Sequence, residues 1–196
     1  MHDPRHDNII LISGICGVVS PLLSQAMIFL AISSSPWFNW FMNALSDLGV
    51  SDSSAIVFNA GLVSSGALTI VFTLGIKNIL KSGILGKIGS ILLALTGLAL
   101  CGIGLFPETA GIIHFFFSVA FFVLLPLSTW VLGADMLKYS RKEPWGWFSV
   151  IVGIAAVIPW LFPWRGVAIP EMASALSISA WSIVMGIRLL RKSSLI

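Results

Sequence analysis

The feature that most constrains this chain is the recurrence of apolar runs about twenty residues long. A helix needs about 20 mostly apolar residues to cross the hydrocarbon of a bilayer. Six stretches have that length, at roughly 9–32, 55–76, 87–106, 111–134, 145–162 and 170–190. Backbone N–H and C=O groups find no water inside a bilayer, so each run is read as helix rather than strand. Composition points the same way: 57% of the residues are hydrophobic and 10% charged, where a soluble domain carries roughly a quarter. The expected fold is all-α, a single transmembrane domain built as a six-helix bundle. The first run exceeds the roughly 7–15 residues of a signal-peptide core and reads as an uncleaved span.

The connections between the runs differ in charge. Lys77, Lys81 and Lys87 fall between runs two and three, Lys138, Arg141 and Lys142 between four and five, and Arg188, Arg191 and Lys192 at the end. The alternate connections hold one basic residue, Arg165, against Asp47, Asp52, Glu108 and Glu171. By the positive-inside rule this predicts a multi-pass protein of the cell membrane with both termini cytoplasmic and the acids outside. A net charge of +3, with no basic patch interleaved with aromatics, gives no reason to expect a nucleic-acid partner. Membrane lipids are the expected surroundings. Trp37, Trp40, Trp145, Trp147, Trp160 and Trp164 sit near the ends of the runs, where indoles favour the interface. Residues 36–45 are too short and polar to span and read as an interfacial segment.

Small or polar residues recur along single faces: Ser13, Gly17, Ser20 and Ser24 in run one; Asn59, Gly66, Thr69 and Thr73 in run two; Gly86, Ser90, Gly97, Cys101 and Gly104, with Leu93 among them, in run three. Helices in lipid associate through close packing at such residues. Phe106-Pro107-Glu108-Thr109-Ala110 resembles Ile169-Pro170-Glu171-Met172-Ala173, and Asp52 precedes run two in a comparable place. The pattern suggests three helical hairpins, each with an acid at the start of its return helix.

The one short stretch holding a proline, a carboxylate and an imidazole is Phe106–His114. An acid in the first turn of a helix interacts favourably with its dipole, by about 0.3–1 kcal/mol, which gives Glu108 and Glu171 an ordinary structural role. His114 lies about one turn inside its run, and ionisable residues within a membrane face the bundle or a cavity. Its bland role is a neutral imidazole hydrogen-bonded to a neighbouring helix, to Asn59 or a serine; Ser118, four residues on, shares its own face. Glu108 and His114 are about 600° of helix rotation and roughly 9 Å of rise apart, so they diverge by about 120°. Any acid–base pair therefore draws on other connections: Asp47 with His114, or Glu171 with Arg165. The candidate ligand-binding set is Ser46, Asp47, Asn59, Glu108, His114, Arg165 and Glu171, with His114, Asp47 and Glu108 the candidate catalytic groups. There is no His-Glu-x-x-His, Cys-x-x-Cys, Gly-x-Ser-x-Gly or phosphate loop. His2 and His6 alone do not make a metal site. No cofactor is implied.

Asn43-Ala44-Leu45-Ser46-Asp47-Leu48-Gly49, Ile56-Val57-Phe58-Asn59-Ala60-Gly61-Leu62, and Gly104-Leu105-Phe106-Pro107-Glu108 with His114 resemble a prokaryotic six-span membrane family, the domain of unknown function 998 (DUF998). The resemblance covers most of the chain, with its motifs between Asn43 and Leu125. The Ser-Asp-x-Gly loop is also similar to that of eukaryotic DRAM/Frag/Sfk-type membrane proteins, where Pro-Glu follows nearby; here it comes only at Glu108. The resemblance implies six helices and a polar outer cluster of Ser46, Asp47, Asn59, Glu108 and His114, and no established activity. The function expected from the residues is binding of a lipid headgroup or small solute in an outer pocket. The alternatives are a membrane-embedded lipid-modifying enzyme using His114 with Asp47 or Glu108, a transporter, and a structural subunit of a membrane complex.

Overall fold

The computed structural model of the chain describes residues 4–80 and 83–193. His2, the His6 side chain and Lys81 lie outside the described residues. Six α-helices follow in order: α1 Pro4–Ser33, α2 Ala55–Ile76, α3 Ile84–Leu105, α4 Ile112–Tyr139, α5 Pro144–Val157 and α6 Ala168–Ser193. No strand occurs among the described residues. All six are long and apolar enough to cross a membrane, α5 together with the 3-10 turn that continues it to Leu161. This is a multi-pass, all-α membrane bundle. Residues 36–44 form irregular turns, followed by a 3-10 turn at Leu45–Gly49.

The helices form a ring: each packs on its neighbour in the chain, and α6 closes on α1 more extensively than on α5. The ring has an acidic end, carrying the α1–α2, α3–α4 and α5–α6 connections, and a basic end with the other two connections and the termini. One buried cluster lies toward the acidic end, including Leu48, Phe58, Leu62, Leu125 and Met172. A second lies toward the basic end, including Ile10, Phe72, Leu132, Trp181 and Met185.

The small-residue faces meet one another, which the absence of a hydrophobic drive between helices in lipid demands. Gly66 of α2 sits against the Gly97–Cys101 segment of α3. Ser20 Oγ of α1 donates to the Ser65 carbonyl of α2 at 2.8 Å. Pro21 cannot donate an N–H to the carbonyl of Gly17, and Ser182 Oγ of α6 donates to that carbonyl at 2.7 Å. The proline thus creates an acceptor that ties α1 to α6.

Asp135, four residues from the end of α4, is fully buried, and its carboxylate accepts the Gly86 N–H in the first turn of α3 at 2.9 Å. An unpaired N–H at a helix start takes an acid readily. Nearby, Arg188 stacks on Trp145 at 4.8 Å and reaches Glu143 at 3.9 Å.

Candidate functional site

The acidic end is organised by the turn that Asp47 closes. The Asp47 carboxylate folds back, one oxygen accepting Asn43 Nδ2–H at 2.7 Å and the Ala44 N–H at 3.1 Å. Behind the turn, Asn59 Nδ2 donates to the Gly49 carbonyl at 2.8 Å and Ser54 Oγ to the Leu48 carbonyl at 2.8 Å. The α5–α6 connection runs alongside as a short ladder: Gly166 N–H to the Phe41 carbonyl at 2.8 Å, and Ala168 N–H to the Asn43 carbonyl at 2.9 Å. This seam carries Glu171, in the first turn of α6, inward to accept the Leu45 N–H at 2.6 Å. Glu171 is 8% exposed.

Glu108, in the 3-10 turn Glu108–Ala110 before α4, hydrogen-bonds the Asp47 carboxylate. Asp47, Glu108 and Glu171 thus gather from three connections. Asp52, which the repeat pattern suggested for the first position, is exposed away from the group; Asp47, five residues earlier, occupies that position. Two carboxylates cannot bond without a proton between them. Partial desolvation, and then the hydrogen bond and charge of Asp47, push Glu108 above the ordinary carboxylate range. The folded chain therefore holds this proton more tightly than the unfolded chain does. The resulting stability is present below the ordinary carboxylate range and is lost as pH rises through the raised value. Glu108→Gln is expected to flatten the fall of thermal midpoint that the wild type shows as pH rises above the ordinary carboxylate range; identical slopes in the two proteins would refute the shared proton.

His114 is 7% exposed on the first turns of α4. Its Nδ1 faces the Phe106 carbonyl at 2.8 Å and its Nε2 faces Ser118 Oγ at 3.2 Å. A carbonyl only accepts, so Nδ1 carries a proton; in that tautomer Nε2 accepts from Ser118 Oγ. The ring's partners are the Phe106 carbonyl just beyond α3 and Ser118 of its own helix rather than a side chain of a neighbouring helix, and Asn59 of α2 bonds Gly49 instead. The group that orients the imidazole is a backbone carbonyl and not a carboxylate. Chemically, Nε2 is placed to take a proton from Ser118. Among the described residues, no group of three or more His, Cys, Asp or Glu is placed to hold a metal ion.

Ser46, Glu108, His114 and Glu171 line one cleft of about 780 Å³. From this polar end the cleft descends along α4 past Phe115, Val119, Val123 and Leu127, all exposed on the outside of the ring. Val157 and Trp160 form the opposite wall. Its cause is local: Pro159 lacks an N–H, α5 ends at Val157, and the chain tightens into a 3-10 turn over Ile158–Leu161. Trp160 is fixed there by its indole N–H on Ser174 Oγ at 2.9 Å. Trp160, expected at the interface, also walls the cleft, and Pro159 is the sequence feature that marks the gap beside α4. Arg165 is exposed and, like Asn59, lies outside the lining.

The chain matches the model of the family described as "Protein of unknown function (DUF998)" over residues 18–188. No curated protein and no solved structure matches it.

Proposed function

Because the chain belongs to the DUF998 family, whose description assigns no activity, we propose its function from the site: it binds a membrane lipid, headgroup at the acidic end and one acyl chain along α4. The orientation that goes with this reading puts the acidic end outside the cell and both termini in the cytoplasm, as the charge asymmetry of the connections favours. The carrying observation is that one cleft is polar at a single end and apolar for the rest of its length, on the face that meets hydrocarbon. From His114 to Trp130 the wall rises about 24 Å. Half of a hydrocarbon core is about 15 Å, so an acyl chain of one leaflet fits within the cleft. Ser46, Glu108, His114 and Glu171 supply hydrogen-bonding contacts, and among the described residues no lysine or arginine lines this cleft. A headgroup that brings its own donors suits such a wall better than a bare phosphate does.

The test is native mass spectrometry of the purified protein with its co-purifying lipid. Val123→Trp fills the apolar cleft and His114→Ala removes a polar contact. Each is expected to weaken lipid retention by about tenfold, the equivalent of about 1.4 kcal/mol. Wild-type retention in both variants would sink the reading.

A further inference from the structure

A second cavity, of about 100 Å³, lies inside the ring, enclosed by α1, α2, α3, α4 and α6. It touches the lipid-facing cleft only at Ser46, Ser118, Phe122 and Glu171. Glu171 stands at its acidic end, and below that the walls are mainly apolar, with Phe58, Leu62, Phe121 and Leu125 among them.

Farther down, the polar groups have a consistent sense. Thr69, Thr96, Ser179 and Ser182 each donate a hydroxyl proton to a backbone carbonyl, at 2.7–2.9 Å. What they turn to other partners is lone pairs. Gln25 Nε2 donates to Ser179 Oγ at 3.2 Å. Since the Ser179 proton already goes to the Ala175 carbonyl, its oxygen must accept, which fixes the Gln25 amide with nitrogen toward Ser179. Gln25 Oε1 is then left buried without a partner, as is the hydroxyl of Ser65, a residue with 0% exposure. An unpaired buried acceptor in a cavity wall calls for a donor. Among the described residues, no lysine or arginine lines this cavity.

We propose that the central cavity binds an elongated aliphatic primary amine. Its ammonium group meets Glu171, its chain lies between the apolar walls, and a neutral donor such as a hydroxyl at its far end meets Gln25 Oε1. The spacing suits a chain of this kind: Ser179, which holds Gln25, is eight residues down α6 from Glu171, about 12 Å of rise. The charged end belongs at the carboxyl, because a cation beside the amide would be buried without a counterion.

The test is isothermal titration calorimetry of the detergent-solubilised full chain with aminooctanol, octylamine and octanoate. The wild type is expected to bind aminooctanol at one site, octylamine more weakly and octanoate not at all. Glu171→Gln weakens aminooctanol by about tenfold or more, the loss of one charged contact. Gln25→Leu removes the preference for aminooctanol over octylamine and needs no change at the acidic end, so it serves if Glu171→Gln folds poorly. Val123→Trp, which fills the lipid-facing cleft, leaves the amine titration unchanged while lipid retention falls. Equal binding of octanoate and aminooctanol, an unaltered preference in Gln25→Leu, or loss of amine binding in Val123→Trp would each overturn the central site.

Discussion

Gly66→Val is expected to force α2 and α3 apart and destabilise the bundle. A Cβ at this position would lie 2.5 Å from the Gly97 carbonyl oxygen, 2.5 Å from Cys101 Sγ and 2.8 Å from the Cys101 amide nitrogen. Two of those three atoms are backbone, which cannot rotate aside, so α2 and α3 must separate. The same crossing continues above, where a Cβ on Gly104 would meet the Asn59 carbonyl at 2.6 Å, and Cys101 Sγ reaches the Val63 carbonyl at 3.3 Å. Separation at one level therefore loosens the seam along its length. In water, overpacking costs typically 1–3 kcal/mol, and hydrophobic drive resists separation. In lipid that drive is missing and contact at small residues holds helices together, so the loss falls on the main source of cohesion. The expected result is a drop in monodisperse yield and a thermal midpoint lowered by roughly 3–9 °C. Ile56→Val, at a position 84% exposed on the same helix, controls for handling. A midpoint within about 1 °C of wild type in Gly66→Val would mean the crossing is not held by this contact.

That crossing shows which parts of the molecule are legible in the residues alone. The membrane-spanning helices follow from run length because lipid gives the backbone no alternative partner, and the described α2, Ala55–Ile76, coincides with its apolar run. The stripe of Gly66, Thr69 and Thr73 marks a packing face, yet it does not say which helix is met. Partner choice is a property of the closed ring, in which α6 reaches back to α1 across most of the chain. The candidate site was legible in kind and misread in detail. Glu108 and His114 do not share the helix expected of them, because Glu108 lies in the 3-10 turn Glu108–Ala110 and α4 begins only at Ile112; the acids do approach from separate connections, but Asp47 and not Asp52 joins them. A side chain that closes its own turn is held inward by two N–H groups, and an exposed one three residues before α2 is not; spacing alone does not separate these cases. The gap beside α4 has a local mark in Pro159, but the unpaired Gln25 carbonyl could not be read off, since it depends on which groups have spent their hydrogen bonds elsewhere.

Gly166→Val is expected to disconnect the acidic end while leaving the six helices in place. A Cβ on Gly166 would lie 2.5 Å from the Asn43 carbonyl oxygen, 2.5 Å from the Met42 carbonyl carbon and 2.6 Å from the Asn43 nitrogen. The α5–α6 connection would have to lift off the α1–α2 connection and lose the Gly166–Phe41 and Ala168–Asn43 hydrogen bonds, 2.8 and 2.9 Å in the wild type. Ala168 begins α6, and Glu171 lies one turn beyond it. Lifting the seam therefore withdraws Glu171 from Leu45 and from the neighbourhood of Asp47 and Glu108, without touching any of those side chains. The α1–α2, α2–α3 and α3–α4 contacts lie elsewhere, so secondary structure by circular dichroism should match the wild type. The thermal midpoint should fall by only a few degrees, as expected for about 1–2 kcal/mol. Lipid retention, by contrast, should weaken about tenfold or more, because the headgroup end of the cleft needs Glu171 and Ser46 on facing connections. A stability loss as large as that of Gly66→Val would make the seam part of the bundle's cohesion. Unchanged lipid retention with the seam broken would show instead that the acidic cluster does not hold the headgroup, and that the apolar wall of α4 alone retains the lipid.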